Sequence, residues 1–280
     1  MTTPPPLAIT GVTGTVGSQV AGILAEAGFP LRLLARTPAN APELPGAVVL
    51  PCDYGDRALC ERSLEGAETL FMVSGRENED RLGEHKAFID AAQAAGVRQI
   101  VYTSFMGAAP DAVFTLARDH FHTEEHIKAA GIDYTFLRDN IYLDFLEPFG
   151  GPEGIIRGPA DEGRVSAVAQ ADVARSAAAI LEDPRAHAQT AYTLTGPEAL
   201  TLTEAATIIA KARNRPFRFQ NETVPEAYES RKKWPAPRWQ YDAWVSTYTA
   251  IAAGQLAGVT DDVERLTGRR ALSLAELLAG

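Results

Sequence analysis

Three glycines near the start of the chain have the spacing of a phosphate-binding turn. Gly11, Gly14 and Gly17 follow the apolar run at residues 7–10 and precede apolar residues at helical spacing. Gly11 would permit a tight turn, Gly14 would let the backbone approach a pyrophosphate, and Gly17 would let helix and strand pack closely. Between a first strand and a first helix, this motif predicts dinucleotide binding, and a purely structural turn is the alternative. The predicted contacts here are Gly11, Thr13, Gly14, Thr15, Val16 and Gly17.

The end of the second apolar segment indicates which dinucleotide is bound. The segment LRLLA is followed by Arg36 and Thr37, with no carboxylate to accept from a ribose 2′-hydroxyl. A guanidinium and a hydroxyl suit a 2′-phosphate, so the sequence favours NADPH over NADH. Asp53, after the third apolar segment, is either an acceptor for the adenine amino group or the cap of a helix that begins at Arg57.

The elements that must position these residues alternate in the order of a parallel sheet. Helical patterns, such as Arg81–Ala95 and Val113–Ala130, separate the strand candidates. The predicted fold class is therefore α/β, a Rossmann-type doubly wound parallel sheet with a smaller, mainly helical C-terminal substrate lobe. The expected domains are residues 1–146 and 147–280. The strand candidates are Leu7–Thr10, Leu31–Ala35, Val48–Leu50, Thr69–Val73, Ile100–Thr103, Tyr134–Leu137 and Tyr192–Leu194.

The second half of the chain carries weaker local signals. Residues 147–163 are rich in Gly and Pro and are predicted to form a loop. Thr201 with Glu204, and Ser273 with Glu276, have the spacing of capping boxes that begin helices. The basic residues 231–233 are predicted to lie on a solvated helix face. A group of aromatic residues either caps the substrate pocket or belongs to a helical core: Trp234, Trp239, Tyr241 and Trp244.

Composition excludes several classes of function. The net charge is −10 and no basic block is present, which argues against nucleic acid as the main partner. No apolar run approaches the roughly 20 residues that span a bilayer, and residues 1–10 lack the features of a secretory signal, so no membrane association is expected. Residues 1–5 are expected to be a frayed end. Cys52 and Cys60 complete no zinc set, which predicts no metal site and a reducing, cytoplasmic location.

Several strings resemble the NmrA-like group of atypical short-chain dehydrogenases, close to type-2 quinone oxidoreductases and triphenylmethane reductases. These strings are GVTGTVG at 11–17, LLART at 33–37, FMVSG at 71–75, VYTS at 101–104, LARDHFHTEEHI at 116–127 and GIDYTFLRDNIYLDF at 131–145. The wider superfamily uses a Tyr-x-x-x-Lys pair for proton transfer. Alignment on Glu124 places Leu116 at the tyrosine position and His120 at the lysine position, so neither functional side chain is present.

The resemblance also implies roles for individual residues. Ser104 stands at the catalytic serine position, and His120, with a pKa near its usual value, would contact the nicotinamide ribose or assist proton delivery. Glu124 would orient the His120 imidazole or cap local backbone. Asn140 would contact the nicotinamide carboxamide, although Asp139 replaces the Asn or Pro that is more usual after the arginine. Ser74, Gly75, Ser104, His120 and Asn140 complete the expected cofactor contacts, and Phe105, Tyr142 and Phe145 the expected substrate pocket.

Two functions follow from the missing pair. A quinone or a similar planar, apolar acceptor takes hydride without acid catalysis, so the first hypothesis is an NADPH-dependent reductase of such acceptors. The alternative is a redox sensor of the NmrA type that binds the dinucleotide without turnover. A homodimer is compatible with either function.

Overall fold

Eleven strands are present in residues 4–280, which the computed structural model describes. In chain order they are β1 (Leu7–Ile9), β2 (Leu31–Ala35), β3 (Ala47–Pro51), β4 (Thr69–Met72), β5 (Gln99–Phe105), β6 (Asp133–Asp139), β7 (Ile155–Gly158), β8 (Arg164–Val165), β9 (Thr190–Leu194), β10 (Leu200–Thr201) and β11 (Arg218–Asn221). Each predicted strand is therefore confirmed, with ends that agree to within two residues.

The main sheet has the strand order β3-β2-β1-β4-β5-β6-β9. The four ladders that join β3, β2, β1, β4 and β5 are parallel. The chain reverses direction across the sheet after β3, so the carboxyl ends of β1 and β4 flank a topological switch point, where such sheets bind ligands. The predicted doubly wound α/β fold is confirmed.

Most of the helices lie between consecutive strands, and the last four follow β11. The helices are α1 (Thr15–Glu26), α2 (Arg57–Leu64), α3 (Arg81–Ala94), α4 (Thr115–Ala129), α5 (Leu146–Phe149), α6 (Gln170–Glu182), α7 (Leu202–Arg213), α8 (Val224–Arg231), α9 (Arg238–Ala252), α10 (Asp262–Thr267) and α11 (Leu274–Ala279). No helix within residues 4–280 has the length and apolar character needed to cross a membrane.

The chain divides into two compact units, each assembled from three segments. The first contains the residues up to Ser104, Asp119–Arg138 and Val173–Tyr192; the second contains Phe105–Arg118, Asp139–Asp172 and Thr193–Gly280. In the first unit, buried strand residues such as Leu70 and Ile100 pack with Phe88 of α3. In the second unit, Ile156, Ile209 and Ile251 belong to one core of their own.

Local capping explains where several helices begin. Both predicted capping boxes are present, Thr201 with Glu204 before α7 and Ser273 with Glu276 before α11. Each box satisfies two backbone N–H groups that the first helical turn leaves without partners. Of the two alternatives for Asp53, the helix cap is wrong, because the Asp56 carboxylate accepts from the Leu59 N–H at 2.9 Å and caps α2.

Two expectations about the second half of the chain need correction. Residues 147–163 are not a plain loop, since they contain the end of α5 and the strand β7, which pairs in parallel with β11. Arg231 does not lie on a solvated helix face, because its guanidinium is buried in an ion pair with Glu222 at 3.2 Å. The predicted frayed end concerns residues 1–5, of which 1–3 lie outside the described residues.

Candidate functional site

The first unit has a polar pocket at the carboxyl ends of its central strands. Its volume is about 150 Å³, and loops that follow β1, β2, β3 and β4 surround it. This is the edge of the sheet where parallel strands present ligands. The lining residues are Thr10, Gly11, Thr13, Leu34, Ala35, Arg36, Cys52, Asp53, Tyr54, Val73, Ser74, Gly75, Arg76 and Glu84.

The glycine turn has the geometry that its spacing predicts. Gly11 has a φ of +67°, and a Cβ there would lie 2.8 Å from the Val73 Cβ. A Cβ on Gly17 would lie 2.4 Å from the Gly11 carbonyl oxygen, so only glycine lets α1 pack this closely against the turn that follows β1. Gly14 caps α1 without a side-chain hydrogen bond, which leaves the N–H groups of the first turn, at Thr15 and Val16, for an anionic ligand.

The rim of this pocket carries the predicted cation. Arg36 follows β2 directly, is exposed and lines the pocket, whereas Thr37 follows it outside the lining. Asp53 also lines the pocket, and its carboxylate accepts from the Gly55 N–H at 3.3 Å. Because Asp56 caps α2, the role that we still predict for Asp53 is to accept a hydrogen bond from the adenine amino group.

Side chains of α3 hold the loop that follows β4. His85 accepts from the Gly75 N–H at 2.8 Å, and Arg81 donates to the Gly75 carbonyl oxygen at 3.0 Å. The Thr103 hydroxyl accepts from the Ser74 N–H at 2.8 Å. Both peptide groups of Gly75 are therefore fixed at the pocket wall by side chains that we did not predict. Their signal in the sequence is the presence of Arg and His at helical spacing beside apolar residues.

His120 belongs to the same buried network. Arg81 can only donate, so at 3.1 Å the His120 Nε2 accepts from it and the proton of the neutral ring lies on Nδ1. Nδ1 then donates to the Tyr102 hydroxyl at 2.9 Å. Burial, with the nearby Arg81 charge, holds the pKa of His120 well below its usual range. The expectation of a pKa near the usual value is wrong, and His120 is an uncharged residue bound to Arg81 and Tyr102.

Ser104 and Glu124 form a second buried group. The Ser104 hydroxyl donates to the Glu124 carboxylate at 2.6 Å, and Arg138 binds that carboxylate with two nitrogens at 2.9 and 2.6 Å. Glu124 therefore orients Arg138 and Ser104 and does not orient His120, so the predicted pairing with the imidazole is wrong. The Ser104 oxygen keeps lone pairs that can accept a hydrogen bond.

In the second unit, the Asn140 side chain is used for local structure. Its amide nitrogen donates to the Ser166 hydroxyl at 2.9 Å and to the Leu256 carbonyl oxygen at 3.0 Å, and its oxygen accepts from the Ile141 N–H. Both amide hydrogens have protein acceptors, so nothing in this arrangement supports the predicted carboxamide contact. That role stays a prediction.

The residue before it, Asp139, is an unusual carboxyl group. It is 2 % exposed, and its Oδ2 accepts from the Tyr142 hydroxyl at 2.9 Å, whereas no hydrogen-bond partner for the buried Oδ1 is present in the described part of the chain. Burial raises the pKa of Asp139 to about 8, and the Tyr142 hydrogen bond only partly opposes this. Asp139 is therefore a neutral acid near pH 7 with one oxygen left for a ligand or water.

The predicted substrate-pocket residues lie in the second unit. Tyr142 and Phe145 are neighbours, with ring centroids 5.5 Å apart, and Phe145 is exposed. Phe105 is half-buried, packs against Phe114 with ring centroids 4.8 Å apart and borders the apolar core. Tyr142 and Phe145 form one aromatic surface, and the substrate-pocket role of all three residues stays a prediction.

These features define a class: a Rossmann-type dinucleotide-binding protein whose phosphate turn, cationic rim and fixed β4–α3 loop lie in one unit. The sequence pattern of the NmrA-like family matches residues 6–237, and the chain belongs to this family.

The chain is similar to several reductases, and the similarity extends over nearly the whole length of each. Quinone oxidoreductase 2 of Escherichia coli K12 is 31 % identical over 277 residues, which is 96 % of each chain. The NAD(P)H azoreductase of Xenophilus azovorans is 31 % identical over 273 residues, 96 % of this chain and 95 % of its own. The solved NADPH complex of the Escherichia coli NADPH-dependent quinone oxidoreductase superposes with a TM-score of 0.89, 30 % identity and 98 % coverage of both chains. The Citrobacter triphenylmethane reductase complexed with NADP(H) gives a TM-score of 0.86 at 26 % identity, covering 98 % of this chain and 99 % of its own.

Proposed function

We propose that the protein is an NADPH-dependent oxidoreductase that transfers hydride to a quinone or a similar planar conjugated acceptor. The observation that carries this proposal is the pocket at the glycine turn, with Arg36 and no carboxylate at the end of β2. An exposed guanidinium there can bind a 2′-phosphate through charge-assisted hydrogen bonds. Similarity to an NADPH-dependent quinone oxidoreductase and to a triphenylmethane reductase complexed with NADP(H) supports the same donor and the same class of acceptor.

The chemistry proposed requires little of the protein beyond alignment. NADPH supplies the hydride, and the aromatic ring of the product stabilises the oxyanion that forms. Leu116 and His120 at the positions of the Tyr-x-x-x-Lys pair fit an acceptor that needs no strong acid. We assign to His120 the positioning of Arg81, and to Ser104 the acceptance or relay of a hydrogen bond from the bound ligands.

To test this, the protein is mixed anaerobically with NADPH and simple benzoquinones or naphthoquinones. The loss of the reduced nicotinamide absorbance is recorded during the reaction. We expect saturable consumption of NADPH above the protein-free rate, and faster consumption with NADPH than with NADH. Tight binding of NADPH without consumption by any acceptor would refute the reductase and favour the non-catalytic redox sensor.

From the sequence alone we also propose a domain boundary between residues 146 and 147, a cytoplasmic location and a homodimer. Limited proteolysis, fractionation of the producing cell and sedimentation would test them in turn.

A further inference from the structure

The two cysteines of the chain, Cys52 and Cys60, lie against each other in the first unit. Their Sγ atoms are 3.4 Å apart, although eight positions separate the two residues along the chain. Both are free thiols, and both are buried, with exposed fractions of 4 % and 0 %. The proposed hydride transfer uses neither of them. We call them the thiol pair.

Hydrogen bonds hold the thiol pair in one arrangement. The Cys60 S–H group donates to the Asp53 carbonyl oxygen at 2.9 Å, so the Cys60 sulfur is left to accept from the Cys52 S–H group. This hydrogen bond to Cys60, together with burial, raises the pKa of the Cys52 thiol. In the reduced protein the two sulfur atoms are therefore in direct contact and each carries its proton.

A disulfide within the thiol pair requires only a small movement. An S–S bond is about 2.05 Å long, so the two sulfur atoms must approach each other by about 1.4 Å from their present 3.4 Å. Cys52 directly follows β3 and Cys60 lies in the first turn of α2, so the bond would link the end of a strand to the helix after it. Disulfides that form in reducing compartments are usually transient and serve catalysis or redox sensing.

The thiol pair also adjoins the dinucleotide pocket. Cys52 and Asp53 line this pocket. The Cys52 N–H donates to the Ala35 carbonyl oxygen at 3.0 Å, and Ala35 directly precedes Arg36 on the cationic rim. A disulfide would remove the Cys60 proton and with it the hydrogen bond to the Asp53 carbonyl oxygen. Oxidation of the thiol pair would therefore change the pocket wall on the side predicted to hold the adenosine part of NADPH.

We propose that Cys52 and Cys60 form a reversible intramolecular disulfide on reaction with a hydroperoxide, and that this disulfide weakens the binding of NADPH. The Cys52 sulfur, which is the less buried of the two, attacks one oxygen of hydrogen peroxide. The O–O bond breaks, a sulfenic acid forms on Cys52, and one water molecule leaves. The Cys60 sulfur then attacks the sulfenic sulfur, the S–O bond breaks, and a second water molecule leaves with the remaining thiol proton.

Overall, two thiols are oxidised to one disulfide, and one hydrogen peroxide is reduced to two water molecules. Because the thiolate is the nucleophile, the raised pKa of Cys52 makes the first step slow near neutral pH. The reaction needs neither hydride transfer nor an organic acceptor, so it goes beyond the proposed reductase activity.

The test uses the full chain without dinucleotide or acceptor, so that a failure of hydride transfer leaves the result unaffected. The reduced protein is incubated with hydrogen peroxide under native conditions, and catalase then removes the remaining peroxide. After unfolding and treatment with iodoacetamide, the intact mass is measured. We expect a monomer that has lost two hydrogen atoms and carries no alkyl group, whereas prior treatment with dithiothreitol should restore two alkylated cysteines. Circular dichroism should show that the oxidised protein is folded.

The control variant Cys60→Ser keeps a hydroxyl group that can donate to the Asp53 carbonyl oxygen but leaves one sulfur atom. Peroxide should add oxygen to Cys52 of this variant and should not remove two hydrogen atoms. Calorimetric titration with NADPH then compares the thiol and disulfide forms of the wild type. The disulfide form should bind NADPH about 2- to 10-fold more weakly, the loss expected for one hydrogen bond.

The proposal is overturned if the folded protein keeps two alkylated cysteines after peroxide treatment, if oxygen adds to the sulfur atoms without a link, or if the link joins two chains. A disulfide form that binds NADPH as tightly as the thiol form would overturn the effect on the pocket. If neither form bound NADPH, the effect on binding and the cofactor assignment would both be wrong, and the measured mass would still decide whether the disulfide forms.

Discussion

The buried carboxyl of Asp139 predicts that the stability of the protein falls as pH rises from weakly acidic to weakly basic values. Its pKa is about 8 in the folded chain and about 3.9 in an unfolded chain. Between these values the unfolded chain has released the proton and the folded chain still holds it, so unfolding releases one proton. The free energy of unfolding then drops by about 1.4 kcal/mol per pH unit. From about pH 5 to about pH 7, the wild type should lose about 2.7 kcal/mol through this group alone.

Asp139→Asn isolates this contribution. The amide oxygen can still accept from the Tyr142 hydroxyl, but the side chain has no proton to release. The assay is urea unfolding of both proteins at several pH values, followed by far-ultraviolet circular dichroism, with the exposed Asp111→Asn as the matched surface control. We expect the stability difference between Asp139→Asn and the wild type to shift in favour of the variant as pH rises, and to level off above about pH 8. A difference that stays constant across this range would refute the buried neutral acid.

Four further substitutions test other parts of the structure. Arg36→Glu should lower the affinity for NADPH about 10- to 100-fold in calorimetry, because a charge-assisted hydrogen bond contributes about 1.5–3 kcal/mol, and equal losses for NADH would contradict the role of this residue. Gly17→Ala would place a methyl group 2.4 Å from a backbone oxygen and should destabilise the fold by about 1–3 kcal/mol; Gly22→Ala in the same helix meets open space and should instead raise the urea midpoint. Glu124→Gln breaks the two-nitrogen pair with Arg138 and should lower the free energy of unfolding by about 1–3 kcal/mol, and an unchanged urea midpoint would show that the pair does not stabilise the unit.

Features that depend on neighbours in sequence were predicted well. The glycine turn and the capping box at Thr201 follow from residues within a few positions of one another, since φ preferences and first-turn N–H groups are local. Strand positions followed from runs of apolar residues between glycines, because a parallel sheet buries both faces.

Contacts between distant parts of the chain were not predicted. The hydrogen bond from the Gly75 N–H to His85 depends on how α3 is rotated, and the pairing of Glu124 with Arg138 joins a helix to the following strand. The spacing along α4 suggested that Glu124 contacts His120. Instead, the carboxylate binds the Arg138 guanidinium, which donates two charge-assisted hydrogen bonds to it. Arg231 was misread for the same reason, since its burial depends on Glu222 nine residues earlier.

The central claim is that the bound dinucleotide reduces a quinone, and a single-turnover experiment tests it most directly. Protein in excess over NADPH, so that all of the NADPH is bound, is mixed anaerobically with increasing concentrations of 2-methyl-1,4-naphthoquinone in a stopped-flow instrument. The absorbance of the reduced nicotinamide is recorded over time. We predict a single exponential loss, with one NADPH oxidised per quinone reduced and a rate that saturates with quinone and far exceeds that of free NADPH. Bound NADPH that decays no faster than free NADPH would contradict the account.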